Sequence, residues 1–502
     1  MQKDTSQQAA TPAPRDDPAW QPVRRIRKGS GGGGTSPQVE KALAEVRSKI
    51  YPRSVQGHFA RIRVWMVFLT QAVFYGLPWI QWNGRQAVLF DLGARKFYLF
   101  GMVLWPQDVI YLAVLLVLSA FALFLFTAMA GRLFCGYACP QTVYTELFMW
   151  IEARVEGDRL ARIRLDEQPW NARKLRLKAT KHFLWIVLAL WTGYTFIGYF
   201  APIRELAAHL AAFELGPWQW FWMLFYAFAT WGNAGFMREA VCKYMCPYAR
   251  FQSVMVDDDT FVVTYDHVRG EPRGGRSRKI DHKEAGMGDC VDCSLCVQVC
   301  PTGIDIRDGL QYMCIGCGAC VDACDSVMDK MGYERGLIRY TSGNAITERL
   351  TQPQVRKRML RPRVLAYSAL LGAIAVGFVF SLATRTTLRV DVIRDRGALG
   401  REVPGGLIEN VYRLQIINSA EMPVELDLSA SGVTGLSLQT ADQGTSRVRV
   451  EGSSNRLVPV VLRAPAQGLA PGLHDIRIEA VGTRAPDDST TVIEQSSFYV
   501  PR

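Results

Sequence analysis

Two short runs of cysteine hold eight of the twelve cysteines in this 502-residue chain. The first run spans residues 290–300 and the second spans 314–324, and both have the spacing C-x2-C-x2-C-x3-C. Bacterial ferredoxins use this spacing to hold [4Fe–4S] clusters. Two such runs side by side predict two neighbouring clusters, and therefore a protein that moves single electrons.

The spacing also predicts which cysteines bind which cluster. In two-cluster ferredoxins the fourth cysteine of a run ligates the other cluster. The first cluster is therefore assigned to Cys290, Cys293, Cys296 and Cys324, and the second to Cys314, Cys317, Cys320 and Cys300. The second run departs from the usual pattern, because Asp325 stands where proline normally follows the last cysteine. No ligand is lost by this change.

Two other uses of cysteine fit the runs less well. Structural zinc takes four ligands, usually in two separated pairs, and two triplets of C-x2-C-x2-C match that arrangement poorly. Disulfide bonds are disfavoured because the runs are predicted below to lie in the cytoplasm, where thiols stay reduced. The sequence therefore favours iron–sulfur chemistry.

Several apolar stretches predict a membrane protein, although the mean hydropathy of the chain is only +0.04. Crossing a bilayer takes about 20 residues, and five stretches are long enough. Trp and Tyr lie near their ends, as they do at membrane interfaces. The predicted spans are residues 64–82, 108–130, 183–200, 218–236 and 364–383.

The distribution of Lys and Arg predicts the orientation. Both are concentrated before the first span and in residues 131–182, whereas residues 83–107 and 201–217 contain few. By the positive-inside rule, the N-terminus, residues 131–182 and the cysteine runs lie in the cytoplasm, and the C-terminal region lies outside. The net charge of +12 therefore reflects topology. Nucleic acid is not a predicted partner, because no nucleic-acid-binding motif accompanies the charge.

The composition changes along the chain and predicts its domains. The polar N-terminus has the composition of a disordered segment. After the last span, short alternating apolar and polar runs separated by Gly, Pro and Asn predict an antiparallel β-sandwich. The predicted organisation is a disordered cytoplasmic tail at 1–40, a four-span α-helical membrane domain at 41–256, an α+β ferredoxin-like two-cluster insert at 257–363, a fifth transmembrane helix at 364–384 and an all-β sandwich at 385–502.

The remaining four cysteines form an internal repeat. Residues 135–140 and 242–247 both read C-x-Y-x-C-P, and each follows the second apolar stretch of a predicted transmembrane hairpin. The i, i+4 spacing puts both sulfurs of a pair on one helix face. The proline favours a bend or an end of the helix at the second cysteine. The predicted topology places all four thiols on the same side of the membrane as the clusters.

Soft thiolate ligands suit Cu(I), zinc or iron–sulfur chemistry. Three functional interpretations of the repeat stay open at this point: a copper site, a further redox or cofactor site, or a dithiol switch. Inert packing is the alternative, since free Cys is often buried, but repetition with the same flanking Tyr and Pro favours a function. Our working hypothesis is a copper site, whose candidate copper-binding and catalytic residues are Cys135, Cys139, Cys242 and Cys246.

Other cofactors are not indicated by the sequence. No G-x-G-x-x-G stands at a predicted strand–helix junction, and there is no G-x4-G-K-[ST], so nicotinamide, flavin and nucleotide sites are not predicted. There is also no C-x-x-C-H for attachment of haem.

Together the motifs resemble the CcoG/FixG/RdxA family of cytochrome c oxidase accessory proteins. The resemblance extends through both cysteine runs and the C-terminal region, and it covers nearly the whole chain apart from residues 1–40. The phrases that carry it are L-W-P-Q-D at 104–108, C-G-Y-A-C-P-Q-T at 135–142, E-L-F-M-W-I-E at 146–152 and C-K-Y-M-C-P-Y-A-R-F-Q-S at 242–253.

The resemblance implies a polyferredoxin of the bacterial inner membrane that is needed to assemble cbb3-type cytochrome c oxidase. It implies a cupric reductase, an oxidoreductase that reduces its substrate Cu(II) to Cu(I) in the cytoplasm, with oxidase assembly factors or copper chaperones as partners and an unknown electron donor. It also implies that the C-terminal domain is immunoglobulin-like and periplasmic. A second hypothesis, of a different class, is a membrane electron conduit that serves a quinone-linked enzyme without copper chemistry.

Overall fold

The computed structural model describes residues 49–278, 281, 283–350, 352–394, 400–441, 444–485 and 488–501. The tail predicted to be disordered, residues 1–40, lies outside these ranges. The chain divides into two compact units. Among the described residues, the first consists of those up to Gln71 with Ala120–Thr192 and Phe225–Ala369, and the second consists of Ala72–Ser119, Gly193–Leu224 and those from Leu370 onward.

Long helices dominate the N-terminal half of the described chain, and shorter ones surround the cysteine runs. The α-helices are α1 (His58–Gly76), α2 (Val109–Ala130), α3 (Leu133–Tyr137), α4 (Pro140–Glu156), α5 (Arg159–Glu167), α6 (Ala172–Ile197), α7 (Ile203–Ala211), α8 (Pro217–Thr230), α9 (Pro247–Met255), α10 (His267–Gly270), α11 (Leu295–Gln298), α12 (Ala319–Met331), α13 (Gly343–Thr347), α14 (Gln352–Met359) and α15 (Pro362–Ala383). Two π-helical segments, Trp231–Met237 and Val241–Met245, follow α8.

Most strands lie in the C-terminal region. The strands are β1 (Gln81–Trp82), β2 (Arg85–Gln86), β3 (Val88–Asp91), β4 (Lys96–Leu99), β5 (Met102–Leu104), β6 (Val262–Tyr265), β7 (Ile338–Thr341), β8 (Leu388–Arg394), β9 (Arg401–Val403), β10 (Leu407–Asn418), β11 (Val424–Ser431), β12 (Ser437–Thr440), β13 (Arg447–Val450), β14 (Ser454–Pro465), β15 (Gly472–Ala485) and β16 (Asp488–Val500).

Two helices in the described chain are long and apolar enough to cross a membrane. These are Pro106–Ala130, which contains α2, and Pro362–Ala383, which is α15. Almost none of their apolar window is buried, whereas the core helix of a soluble protein would bury it. The findings are consistent with a membrane protein. The other three predicted spans fall mainly in α1, in α6, and in α8 with the π-helical segment after it, and the five-span arrangement stays a prediction.

The cysteine runs lie in a small α+β fold within the first unit. Strands β6 and β7 pair antiparallel, with Val263 opposite Tyr340. Their inward side chains pack with α12 into a core that contains Met328 and also Cys290. Helix α12 begins after Gly318 and ends at Gly332, and both glycines adopt left-handed backbone angles, which other residues adopt with difficulty. The apolar core therefore forms around the cysteines themselves.

The predicted β-sandwich is present in the second unit. One sheet has the strand order β12-β14-β10-β8, with β9 also paired to β10, and the other has the order β13-β11-β15-β16. All of these pairings are antiparallel. Alternate side chains of both sheets, such as Leu414 and Ile478, are fully buried in one core, as the period-two pattern requires. The prediction of an antiparallel β domain is confirmed.

The L-W-P-Q-D phrase has a structural role in the second unit. Asp108 is buried and accepts a hydrogen bond from the backbone N–H of Trp105 at 2.9 Å. Its carboxylate pairs with Arg385 and with Arg389, the latter at 3.2 Å. A buried carboxylate is stable only when it is paired and hydrogen-bonded. The pairing therefore ties the start of α2 to the segment between α15 and the β-sandwich.

The predicted topology is testable with reporter fusions. A phosphatase that is active only outside the cytoplasm is expected to be active when fused after residue 502, and silent when inserted in the cysteine-run region at 304–310. The physical reason is the asymmetry of Lys and Arg between the flanking segments.

A reporter that is active only in the cytoplasm supplies the control, and it should give the opposite pattern at both positions. Phosphatase activity at 304–310 would contradict the orientation and, with it, the cytoplasmic location of the cysteine runs.

Candidate metal centres

The structure lines one cavity with the four cysteines assigned to the first cluster. Its other lining residues are mostly apolar and include Tyr265, Val327 and Leu337. Burial raises the pKa of Cys296 to about 11 and that of Cys324 to about 12. Such thiols hold their protons at neutral pH unless a metal displaces them. Four sulfurs in an apolar enclosure fit a [4Fe–4S] cluster.

A second cavity is lined by the four cysteines assigned to the second cluster, and Cys296 of the first set also reaches it. Burial raises the pKa of Cys314 to about 12. The structure thus brings together the members of each predicted ligand set, including the crossed cysteines Cys300 and Cys324. Which cysteine binds which cluster stays a prediction.

Both runs wrap their cavities with the same backbone conformation. Asp292 and Ser294 in the first run adopt positive φ angles of 51° and 54°, and Gly316 and Gly318 take the corresponding positions in the second run with 63° and 72°. Left-handed residues that alternate with right-handed ones form concave groups of N–H donors that bind anions in other proteins. Non-glycine residues pay a conformational cost in this region. The first run accepts that cost at two positions.

The C-x-Y-x-C-P repeats end their helices at the second cysteine, as their prolines predict. Cys139 has extended backbone angles and caps α4, with Pro140 as the first residue of the helix. Cys246 has the same extended conformation and caps α9, with Pro247 first. The first cysteines differ, since Cys135 lies in the short helix α3 and Cys242 lies in a π-helical turn. Because each second cysteine lies outside the helix of the first, the prediction that both sulfurs of a pair share one helix face is wrong.

Hydrogen bonds between the repeats bring the two cysteine pairs together. The guanidinium of Arg132, before the first pair, donates to the backbone carbonyl of Ala249, after the second. The Sγ of Cys135 lies 3.4 Å from Oε1 of Gln252, a fully buried side chain. Gln141 donates from Nε2 to the carbonyl of Arg238 at 3.0 Å. Each repeat is thus fastened to the segment that carries the other pair.

Burial raises the pKa values of Cys135, Cys139 and Cys242. Burial raises the pKa of Cys135 to about 12, and the neighbouring Cys139 and Cys242 thiols add to the increase. Burial also raises the pKa of Cys242 to about 11, with contributions from Cys139 and Cys246. For Cys139, burial raises the pKa while the N–H groups at the start of α4 oppose that increase. We refer to these four residues as the four-thiol site.

The four-thiol site packs directly on the second cysteine run. A Cβ atom on Gly136 would lie 2.8 Å from the backbone oxygen of Ile315 and 2.9 Å from that of Gly316. The hydroxyl of Tyr137 donates to the carbonyl of Cys317 at 3.2 Å. Cys135 packs against the same loop. Only glycine permits this approach, so the Gly within C-G-Y-A-C-P is a packing requirement that sequence reasoning had overlooked.

A buried ionic network supports the site and was also missed. Glu152 is fully buried, and its carboxylate is 2.9 Å from Arg238 and 3.3 Å from Arg162. Lys49 and Lys181 each approach it to 3.5 Å. Burial by itself raises the pKa of Glu152, but the effect of these four cations is larger and lowers the pKa to about 2. Glu152 is the last residue of the E-L-F-M-W-I-E phrase. That phrase is the sequence feature that could have pointed to this residue.

Within the described residues, no three Cys, His, Asp or Glu side chains are close enough together to hold one metal ion. This applies to the four-thiol site and equally to the eight ferredoxin-type cysteines. The sulfurs around a four-iron cube bind different iron atoms, so they stand further apart than the ligands of a single ion.

Comparison with known proteins gives the family. A model described as a 4Fe-4S dicluster domain matches residues 237–343, and one described as a 4Fe-4S binding domain matches residues 112–156. A third, described as the IG-like fold at the C-terminal of FixG, putative oxidoreductase, matches residues 378–501. The nitrogen fixation protein FixG of Rhizobium meliloti is 38% identical over 459 residues, which cover 84% of this chain and 87% of that protein.

Protein RdxA of Cereibacter sphaeroides is 37% identical over 475 residues, which cover 92% of this chain and 100% of the relative. The chain belongs to the FixG/RdxA family. Protein RdxB of the same organism is 38% identical over 413 residues, covering 80% of this chain and 86% of the relative. Among solved structures, a FixG-related protein from Vibrio parahaemolyticus matches with 23% identity and a TM-score of 0.19, over 23% of this chain and 97% of the other.

Membership of the FixG/RdxA family confirms the resemblance found in the sequence. With the two iron–sulfur matches, it identifies the chain as an iron–sulfur electron-transfer protein. The third match assigns an immunoglobulin-like fold to the C-terminal β domain.

The crossed ligation can be tested with Cys300→Ala. Because Cys300 is assigned to the second cluster, this variant of the FixG/RdxA protein is expected to lose about four irons per chain. Its EPR spectrum after reduction should match that of Cys314→Ala, which removes another ligand of that cluster. A spectrum that matches Cys290→Ala instead would show that the ligands do not cross.

The packing of Gly136 can be tested with Gly136→Ala. The added methyl would press on two backbone oxygens, and overpacking of this kind typically costs about 1–3 kcal/mol. Thermal unfolding of the detergent-solubilised protein should therefore shift to lower temperature. Gly232→Ala is the matched control, because a Cβ there meets nothing within 4 Å. Equal unfolding temperatures for the two variants would contradict the proposed contact.

Proposed function

We propose that this protein is a membrane-bound cupric reductase. It accepts electrons into its iron–sulfur clusters and passes them to Cu(II), and the Cu(I) that forms in the cytoplasm serves assembly of cbb3-type cytochrome c oxidase. The cysteine architecture and the FixG/RdxA relatives support the electron-transfer part. The copper and oxidase parts rest on the resemblance to the CcoG/FixG/RdxA family described above.

The observation that carries the proposal is the contact between the four-thiol site and the second cysteine run. Gly136 lies against the backbone of Ile315 and Gly316. The hydroxyl of Tyr137 donates a hydrogen bond to the backbone carbonyl of Cys317, a proposed cluster ligand. When bound, the clusters supply one-electron oxidation and reduction. The contact therefore gives an electron a short path of covalent and hydrogen bonds from the second run to the four thiols.

The chemistry of sulfur suits the four-thiol site to be the acceptor end of this path. Soft ligands such as thiolates stabilise Cu(I), so Cu(II) near cysteine is more easily reduced. One Cu(II) takes one electron and becomes Cu(I), while one cluster is oxidised by one electron. We propose the four cysteines as the catalytic residues in this sense, since it is from them that the electron leaves the protein.

The charge distribution supports a cytoplasmic acceptor. The Lys and Arg of residues 131–182 place the segment between the two repeats on the cytoplasmic side by the positive-inside rule. We propose a multi-pass protein of the bacterial inner membrane, with the N-terminus and clusters in the cytoplasm and the immunoglobulin-like domain in the periplasm. Cytoplasmic copper chaperones or oxidase assembly factors are then the proposed recipients of Cu(I).

Stopped-flow oxidation tests the reductase. Protein reduced with dithionite and freed of excess reductant is mixed with Cu(II) and a Cu(I)-specific chromogenic chelator. The clusters should be oxidised as Cu(I) appears, with one Cu(I) formed per electron lost. Replacing both cysteines of one repeat, as in C135S/C139S, should slow the reaction at least tenfold and leave the ferredoxin-type clusters reducible.

Met245→Leu serves as the control, because it changes a residue of the second motif without removing a thiol. It should react like the wild type. Clusters that stay reduced in the presence of Cu(II), or a C135S/C139S variant that reacts at the wild-type rate, would contradict the proposal. The first result would favour a conduit to a quinone-linked enzyme.

A further inference from the structure

We infer that the four-thiol site holds a third [4Fe–4S] cluster, shared between the two C-x-Y-x-C-P repeats. This inference deepens the proposed function by naming what the acceptor end of the electron path contains. It rests on the proposed electron transfer but not on copper. In this arrangement Cu(II) takes its electron from the cluster, and the four sulfurs bind iron instead of copper.

The family match at residues 112–156 supplies the first argument. It is described as a 4Fe-4S binding domain, yet the segment contains only two cysteines, Cys135 and Cys139. A cubane cluster takes four thiolates, so a cluster here needs two more from elsewhere. The second repeat supplies a pair with the same spacing and the same following proline, Cys242 and Cys246.

The cross-repeat hydrogen bonds supply the second argument. Arg132 and Gln141 of the first repeat donate to backbone carbonyls beside the second pair, those of Ala249 and Arg238. Gln252 of α9 reaches back to Cys135. These bonds hold the two pairs at a fixed separation, as a single centre with ligands from both repeats requires.

The third argument is electrostatic. Helices α4 and α9 both begin at a cysteine of the site, and the positive ends of helix dipoles favour anions. Arg132 is buried and lies three residues before Cys135, the first thiol of the site. A buried cation is costly without a negative partner. A thiolate-bound iron–sulfur cluster carries net negative charge and provides that partner.

The position of the thiols supplies the fourth argument. The four-thiol site has the same ligand type as the ferredoxin-type cysteines. It also adjoins the second run through Gly136, so a third cluster here would lie beside the second.

Metal and sulfide analysis of the full-length protein tests the inference. Protein purified anaerobically in detergent is expected to contain about twelve irons and twelve labile sulfides per chain, four for each of three clusters. Variants C135S/C242S and C139S/C246S, which each remove one thiol from both repeats, should contain about eight. Their EPR spectra should lack one signal that is present in both Cys300→Ala and Cys290→Ala. Met245→Leu should retain all the iron.

A further variant keeps the test independent of folding and of iron loss. Arg132→Gln removes a positive charge beside the site and leaves every thiol in place. It should retain about twelve irons and shift the midpoint potential of the third cluster to a more negative value, because the added electron is less well stabilised. An unchanged set of potentials would count against a cluster at this position.

The outcomes separate the inference from the proposed function. About eight irons in the wild type, with copper bound by the four thiols and Cu(II) still reduced, would overturn the third cluster and leave the reductase standing. About twelve irons, with clusters that Cu(II) does not oxidise, would uphold the third cluster and remove the copper function. Serine variants that retain all the iron would also overturn the inference.

Discussion

Close packing of the first C-x-Y-x-C-P turn on the second cysteine run is the constraint on which the rest of the first unit depends. Gly136 brings the turn so near the Ile315 and Gly316 oxygens that no larger residue fits. The hydroxyl of Tyr340, in strand β7, donates a hydrogen bond to the Gly316 carbonyl. The loop around the second set of cysteines is therefore held between the first C-x-Y-x-C-P turn and β7. The rate of electron transfer falls steeply with distance. These contacts keep the distance between the second cysteine run and the four-thiol site fixed.

The buried carboxylate of Glu152 holds the other side of this arrangement. It forms ion pairs with Arg162 of α5, Lys181 of α6 and Arg238, which precedes the second repeat. Arg238 has a positive φ of 40°, a conformation that a non-glycine residue keeps only when its surroundings impose it. Loss of one partner from a buried ion pair typically costs about 3–5 kcal/mol. The ion pair with Glu152 thus stabilises the strained backbone at Arg238, four residues before Cys242.

Sequence reasoning identified the features that depend on local spacing. The two cysteine runs, the repeated C-x-Y-x-C-P motif and the alternating strands of the C-terminal domain are all short-range patterns. The contacts of Arg132 with Ala249 and of Glu152 with Arg238 join residues far apart in the chain, and no periodicity reports them. The spans illustrate the same limit. α2 and α15 are continuous apolar helices. By contrast, α6 begins with a basic segment rich in Lys and Arg and continues as an apolar one.

The two repeats are alike in their cysteines but differ in the residues between them, and this difference divides their roles. The first repeat has Gly136 and a buried Tyr137, which pack on the ferredoxin-like insert. At the corresponding positions the second repeat has Lys243 and an exposed Tyr244. A lysine in place of Gly136 would collide with the loop, so only the first repeat can dock there. The second repeat is left with an exposed edge beside the same four thiols. Under the proposed function, the first repeat is the side that receives electrons from the insert and the second repeat is the side that an acceptor reaches, which a single pair of cysteines on one helix could not provide.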